Sequence, residues 1–183
     1  MRIFVALELP EHIIREIQGW QEQLVSLHPS LKWVKPEHMH LTLRFFGDIK
    51  RNRMLEVERL LSSRQTGPLE FTLDKLGTFC GKDQLPFVYW LGGSFPSEIL
   101  YLAEELGKIP DDKGRISSKQ YLPHITIARR RMSSASPQLP EPPLMQGVFH
   151  EAVIFNSRLT PAGPEYSRLK RFDFHLAERC FND

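Results

Sequence analysis

The chain runs twice through one four-part order, and this repeat limits its folds more than any other feature. Arg2 to Leu9 (RIFVALEL) is rich in strand-forming residues. Pro10 suits a helix start, where its missing N–H costs nothing. Ile13, Ile17, Trp20 and Leu24 then recur at spacings of 4, 3 and 4, one face of a helix. A loop bracketed by Pro29 and Pro36 leads to His40–Phe46 (HLTLRFF), a strand ended by Gly47-Asp48. In the second half Phe87–Leu91 (FVYWL) is the strand, and Pro96 opens a helix with Ile99, Leu102, Ala103 and Leu106 on one face. Pro110–Gly114 is the loop and His124–Ala128 (HITIA) the returning strand. The two leading histidines stand 84 residues apart in a chain of 183, which predicts two similar lobes rather than a solenoid.

Around this frame, Asp48 is expected to cap a helix with Met54, Val57, Leu60 and Leu61 on its apolar face. Ser133–Pro143 (SSASPQLPEPP) reads as an exposed connection. Gly147–Ser157 and Tyr166–Phe174 read as strands joined by a turn at Pro161–Pro164. Many strands with few helices predict an α+β fold of antiparallel sheets, with residues 1–183 forming one domain. A composition of 41% hydrophobic and 25% charged residues excludes disorder and coiled coil for the chain as a whole. No apolar run reaches the ~20 residues of a membrane span, and Met1–Pro10 lacks a signal-type apolar stretch. Cys80 and Cys180 form no disulfide framework, which fits a reducing cytoplasm. A net charge of +2 predicts few phosphate contacts.

The chemistry points to one duplicated pattern, His40-Leu41-Thr42-Leu43 and His124-Ile125-Thr126-Ile127. In a strand, residues i and i+2 share a face. Each segment therefore presents an imidazole and a hydroxyl opposite two aliphatic side chains. With seven histidines and six threonines, about 0.2 His-x-Thr triplets are expected by chance when matches are counted. The alternative, two core histidines satisfied by neighbours, does not explain the duplication. Two imidazoles can divide the roles of base and acid near neutral pH. Two hydroxyls beside them can donate to the oxygens of an anion held between them. These are the parts needed for in-line displacement at a phosphodiester, and a ribose cyclic phosphate suits them.

On these residues the chain resembles the two-histidine (2H) phosphoesterases, and among them the RNA 2′,3′-cyclic phosphodiesterases, also called 2′-5′ RNA ligases. The resemblance rests on the paired H-x-T-x motifs, supported by RIFVALELP, HLTLRFFGDI, YLPHITIARR and YSRLKRFDF. It implies a bilobal fold, with two pseudo-symmetric lobes whose concave antiparallel sheets face a central cleft and helices on the outer faces. It implies hydrolysis of RNA 2′,3′-cyclic phosphate ends to 2′-phosphomonoesters without metal or other cofactor. It places the proton donor at His40, the proton acceptor at His124, and phosphate contacts at Thr42 and Thr126. The partners it implies are RNA ends or nucleotides with a 2′,3′-cyclic phosphate, met by a monomeric cytoplasmic enzyme. Ligation through a 2′-5′ bond and a non-catalytic RNA-binding module are the competing readings.

Further candidates adjoin the motifs. Strict alternation puts Arg130 on the His124 face, whereas the resemblance favours Arg129; a bulge would reconcile the two. Alternation also puts Arg44 and Phe46 on the His40 face, where Phe46 either stacks a base or lines the core. His38 and His40 form an H-x-H pair without an evident third metal ligand. Cys80 has no base beside it, which argues against a cysteine nucleophile.

Overall fold

The first strand, β1 (Arg2–Glu8), is apolar on both faces because both are covered. Ile3, Val5 and Leu7 enter the main core, while Phe4 and Ala6 pack with Val153 and Phe155 on the other side. The computed structural model describes residues 1–64, 66–117, 120–131, 135–161 and 163–174; His175 and Cys180 lie outside the described residues. Helix α1 (Glu11–Val25) and helix α3 (Ser97–Lys108) each start one residue after a proline, Pro10 and Pro96. Their predicted apolar faces are buried. Between these two helices lie β2 (Leu31–Trp33), a short 3-10 turn at Pro36–His38, β3 (His40–Asp48), α2 (Arg51–Ser62), β4 (Leu69–Leu73), β5 (Lys75–Cys80) and β6 (Pro86–Gly92). After α3 come β7 (Ile125–Arg130), β8 (Met145–Phe149), β9 (Glu151–Thr160) and β10 (Gly163–Asp173).

The fold is α+β and two-lobed, built on a large antiparallel sheet. One block runs β10-β9-β1-β3 and the other β7-β6-β5, with β2 also on β7. They join at a single residue pair, Leu41 with Ile125. The helices cross over between the blocks. Helix α1, from the first half, packs on β2 and β8, and its Gln21 amide donates to the Ile127 carbonyl on β7 at 3.0 Å. Helix α3, from the second half, packs on β3. Each motif strand is thus backed by the helix of the opposite repeat. Among the described residues, no helix is long and apolar enough to cross a membrane.

Several expectations change. Asp48 ends β3 and is exposed, and Lys50 takes the α2 N-cap position without a side-chain cap. The stretch 147–157 is two strands, broken at His150, with β8 paired to β4 in a separate small sheet. From residue 135 the low-complexity connection is tied down: the Tyr89 hydroxyl donates to the Pro137 carbonyl at 2.8 Å, and Leu139 is buried.

Candidate active site

The two motif strands share one local geometry. From His40 to Phe46, burial runs half-buried, buried, half-buried, buried, buried, exposed, buried. From His124 to Arg130 the order is the same. In β3, Ala6 pairs with Thr42 and Val5 with Arg44, so Leu43 is a bulge. In β7, Trp90 pairs with Thr126 and Tyr89 with Ala128, so Ile127 is the matching bulge. A bulge puts two residues opposite one and reverses the alternation beyond it.

That reversal decides the neighbouring candidates. Arg129 is exposed on the histidine face and lines the cleft. Arg130 is turned away and buried: its guanidinium pairs with Asp83, and its Nε donates to the Pro86 carbonyl at 3.0 Å. The alternation that put Arg44 and Phe46 on the His40 face fails for the same reason. Arg44 is buried, and its guanidinium donates to the carbonyls of Gly107 (2.8 Å) and Ile109 (3.2 Å) at the end of α3 and of Arg115 (3.2 Å) in the loop beyond it. Phe46 is 2% exposed in the core. Phe45, not singled out from sequence, is 54% exposed and stands on the cleft side beside Phe4 (4.9 Å). The signal for it was the match of HLTLRF with HITIAR, which aligns Phe45 with Arg129.

With Leu41 opposite Ile125, antiparallel register puts His40 opposite Thr126 and Thr42 opposite His124. The four side chains meet where the blocks join, in a cleft of about 1480 Å³. Among the described residues neither threonine hydroxyl has a protein partner, and both are left to donate into the cleft.

Each imidazole is anchored to the backbone two residues earlier. The His124 Nδ1 lies 2.8 Å from the Leu122 carbonyl. A carbonyl only accepts, so Nδ1 carries the proton and Nε2 is the basic nitrogen. His40 makes the corresponding bond to the His38 backbone. The walls differ. His40 stacks on Phe4 (5.0 Å) and Phe155 (6.0 Å) and meets the edge of Tyr166 (5.6 Å). His124 meets Phe79 (4.9 Å) and Trp90 (6.1 Å) edge-on. Gly77 lies under the Trp90 ring, where a Cβ would collide with the indole.

These surroundings set the charges. Burial pushes His40 down to about 4, helped by His38 and His124 and opposed by Glu8 and the His38 backbone bond. Burial also lowers His124, the Leu122 bond opposes this, and the Arg129 charge adds to the lowering. His38 is lowered by burial and packs against Tyr166 at 4.9 Å. Both motif imidazoles are neutral at pH 7 by these effects alone, and an anion between them would favour their protonated forms. Among the described residues, no three His, Cys, Asp or Glu side chains come together as a metal cluster, so His38 and His40 gain no third ligand there.

A family model described as LigT like phosphoesterase matches residues 7–90. A protein of Thermotoga maritima named RNA 2′,3′-cyclic phosphodiesterase is 30% identical over 181 residues, 95% of this chain and 96% of that one. A protein of the same name from Methanocaldococcus jannaschii is 28% identical, over 94% of this chain and all of that one. Among solved structures, TT0787 of Thermus thermophilus superposes with a TM-score of 0.78 at 26% identity, covering 97% of this chain and 100% of that one. The apo form of E. coli LigT, at 24% identity, shares the fold with a TM-score of 0.80 over 95% of this chain and 97% of that one. Sequence, fold and the paired His-x-Thr strands converge: the chain belongs to the LigT-like phosphoesterases of the two-histidine superfamily.

Proposed function

We propose that this chain hydrolyses 2′,3′-cyclic phosphates at RNA ends to 2′-phosphomonoesters, without metal, as one bilobal, monomeric, cytoplasmic domain. The observation that carries this reading is the crossed register at the Leu41–Ile125 pair, which gives one phosphate two imidazoles and two hydroxyls. The names of the relatives support the choice of substrate. The Nε2 of His124 takes a proton from water as its oxygen attacks phosphorus. The bond from phosphorus to O3′ breaks, and His40 delivers a proton to O3′. The phosphate charge raises His40 from its depressed value, so the acid is loaded by the substrate it serves. Thr42 and Thr126 donate to the non-bridging oxygens, where charge accumulates in the transition state. Arg129, exposed on the same face, adds positive charge to the cleft that holds the RNA.

The test is to follow an oligoribonucleotide 2′,3′-cyclic phosphate by ³¹P NMR in EDTA, beside His124→Ala. A 2′-monophosphate formed by the wild type and not by the variant is the expected result. Conversion to a 3′-monophosphate, or a strict requirement for added metal, would overturn it.

A further inference from the structure

The short strand β2 carries a second feature of the cleft. It pairs with β7 so that Lys32 stands directly opposite Arg129. Both are exposed and both line the cleft. Like charges directly opposite one another destabilise an antiparallel pair. Among the described residues neither has a carboxylate partner, whereas nearby Lys35 is answered by Glu37 at 3.8 Å. Arg129 lines the cleft together with His124 and Tyr166, which stand on opposite blocks, and its charge is felt by both.

The spacing separates this pair from the reacting phosphate. From Thr126 to Arg129 the strand advances roughly 7–10 Å at ~3.3 Å per residue, the scale of one nucleotide unit. Side chains directly opposite start about 4.5–5.5 Å apart at Cβ, close enough for an ammonium and a guanidinium to meet on one anion. The guanidinium presents a planar fork and the ammonium a point charge, and phosphate accepts from both.

We infer that Lys32 and Arg129 form a subsite for a second phosphate, the phosphodiester joining the terminal cyclic nucleotide to the rest of an RNA chain. The enzyme is then selective for oligonucleotide ends over cyclic mononucleotides. This rests on the proposed function, because it assumes that the terminal phosphate lies between the two histidines.

The test is a binding measurement that does not need turnover. Calorimetric affinities of a 2′-phosphorylated dinucleotide and mononucleotide are compared for wild type and Lys32→Gln, and again with a neutral methylphosphonate linkage. The wild type should favour the natural dinucleotide by about 3- to 10-fold, the worth of a partly exposed ion pair. Lys32→Gln and the methylphosphonate should each bring the ratio toward one, and Lys32→Arg should keep it. The salt dependence should lose a log–log slope of about 0.7 in Lys32→Gln, one single-strand phosphate contact. Equal affinities in the wild type, or a preference that survives the neutral linkage, would overturn the subsite. Turnover of the cyclic forms is measured alongside. No turnover with the preference intact would sink the hydrolysis reading alone, and turnover without preference would sink the subsite alone.

Discussion

Between His40–Phe46 and His124–Arg130 the backbone is duplicated down to the bulge, yet the rings around each histidine are not. His40 sits on Phe4 and Phe155, with His38 near enough to repel its charge. His124 is met edge-on by Phe79 and Trp90, and the Arg129 charge adds to the lowering of its proton affinity by burial. At the position five beyond each histidine, one strand exposes Phe45 and the other Arg129. A repeated strand therefore supplies matched reach into the cleft, while its walls give each imidazole a different proton affinity. An acid and a base need that asymmetry, and a perfect repeat would not provide it.

The largest break in the comparison comes from removing either imidazole. His40→Ala and His124→Ala should each lower turnover about 10²–10⁴-fold. Single-turnover rates with a cyclic phosphate substrate check this. A variant near wild-type rate would remove that histidine from the chemistry. Next come the two unlike residues at matched positions. Arg129→Ala removes one of the two cations of the upstream-phosphate subsite and should lower kcat/KM for an oligonucleotide end by about 3–10-fold whatever its base, and little for a cyclic mononucleotide. Phe45→Ala removes an aromatic face and should cost about 5–30-fold. That cost should vanish for a ribose cyclic phosphate without a base. Equal losses with and without the base would show that Phe45 acts only through packing.

Much of this was legible in the sequence. The helices announced themselves through Pro10, Pro96 and clean apolar stripes, and the His-x-Thr pairs through their duplication. Period-two alternation failed just beyond the threonines. The bulges at Leu43 and Ile127 leave no local signature, since both are aliphatic residues in an apolar run. Arg44 looked like a cleft cation, but the bulge carries it to the end of α3 and the loop beyond, where three carbonyls hold it. The strand β5 was hidden for another reason: as an exposed edge strand it has no buried face to impose a pattern. The crossing-over of α1 and α3 is tertiary information that neither repeat contains alone.

The unequal proton affinities predict unequal pH limbs. For the free enzyme, kcat/KM should be bell-shaped, with one limb near pH 4 from His40 and one below 6.5 from His124. Measurement from pH 3.5 to 9 decides this, and two limbs above 6.5 would contradict the depressed imidazoles. Stability should respond as well. Between pH 6.5 and about 4 the unfolded chain binds a proton at His40 that the native chain does not, so stability falls as pH falls through this window. The loss reaches about 3 kcal/mol at pH 4, at ~1.4 kcal/mol per pH unit. His40→Asn should flatten the dependence of Tm on pH over this range. An unchanged slope would mean that His40 is not held neutral by the fold.

The smallest effect sharpens the comparison most, because it acts on one side only. His38 has no counterpart before β7, where Leu122 occupies the matching position. Its charge is one of the influences that lower His40, second to burial. The backbone bond from residue 38 to the His40 ring does not depend on the side chain at 38. His38→Gln should therefore raise the His40 midpoint from about 4 without changing its ring anchor, and should leave His124 in place. Two-dimensional NMR titration of the imidazole resonances reads both at once. If the His124 midpoint moves as far as that of His40, the two sites share one electrostatic environment and the asymmetry argued from their walls is wrong. If only His40 moves, the residue two before each histidine is where the repeat was tuned, its backbone holding the ring and its side chain setting the charge.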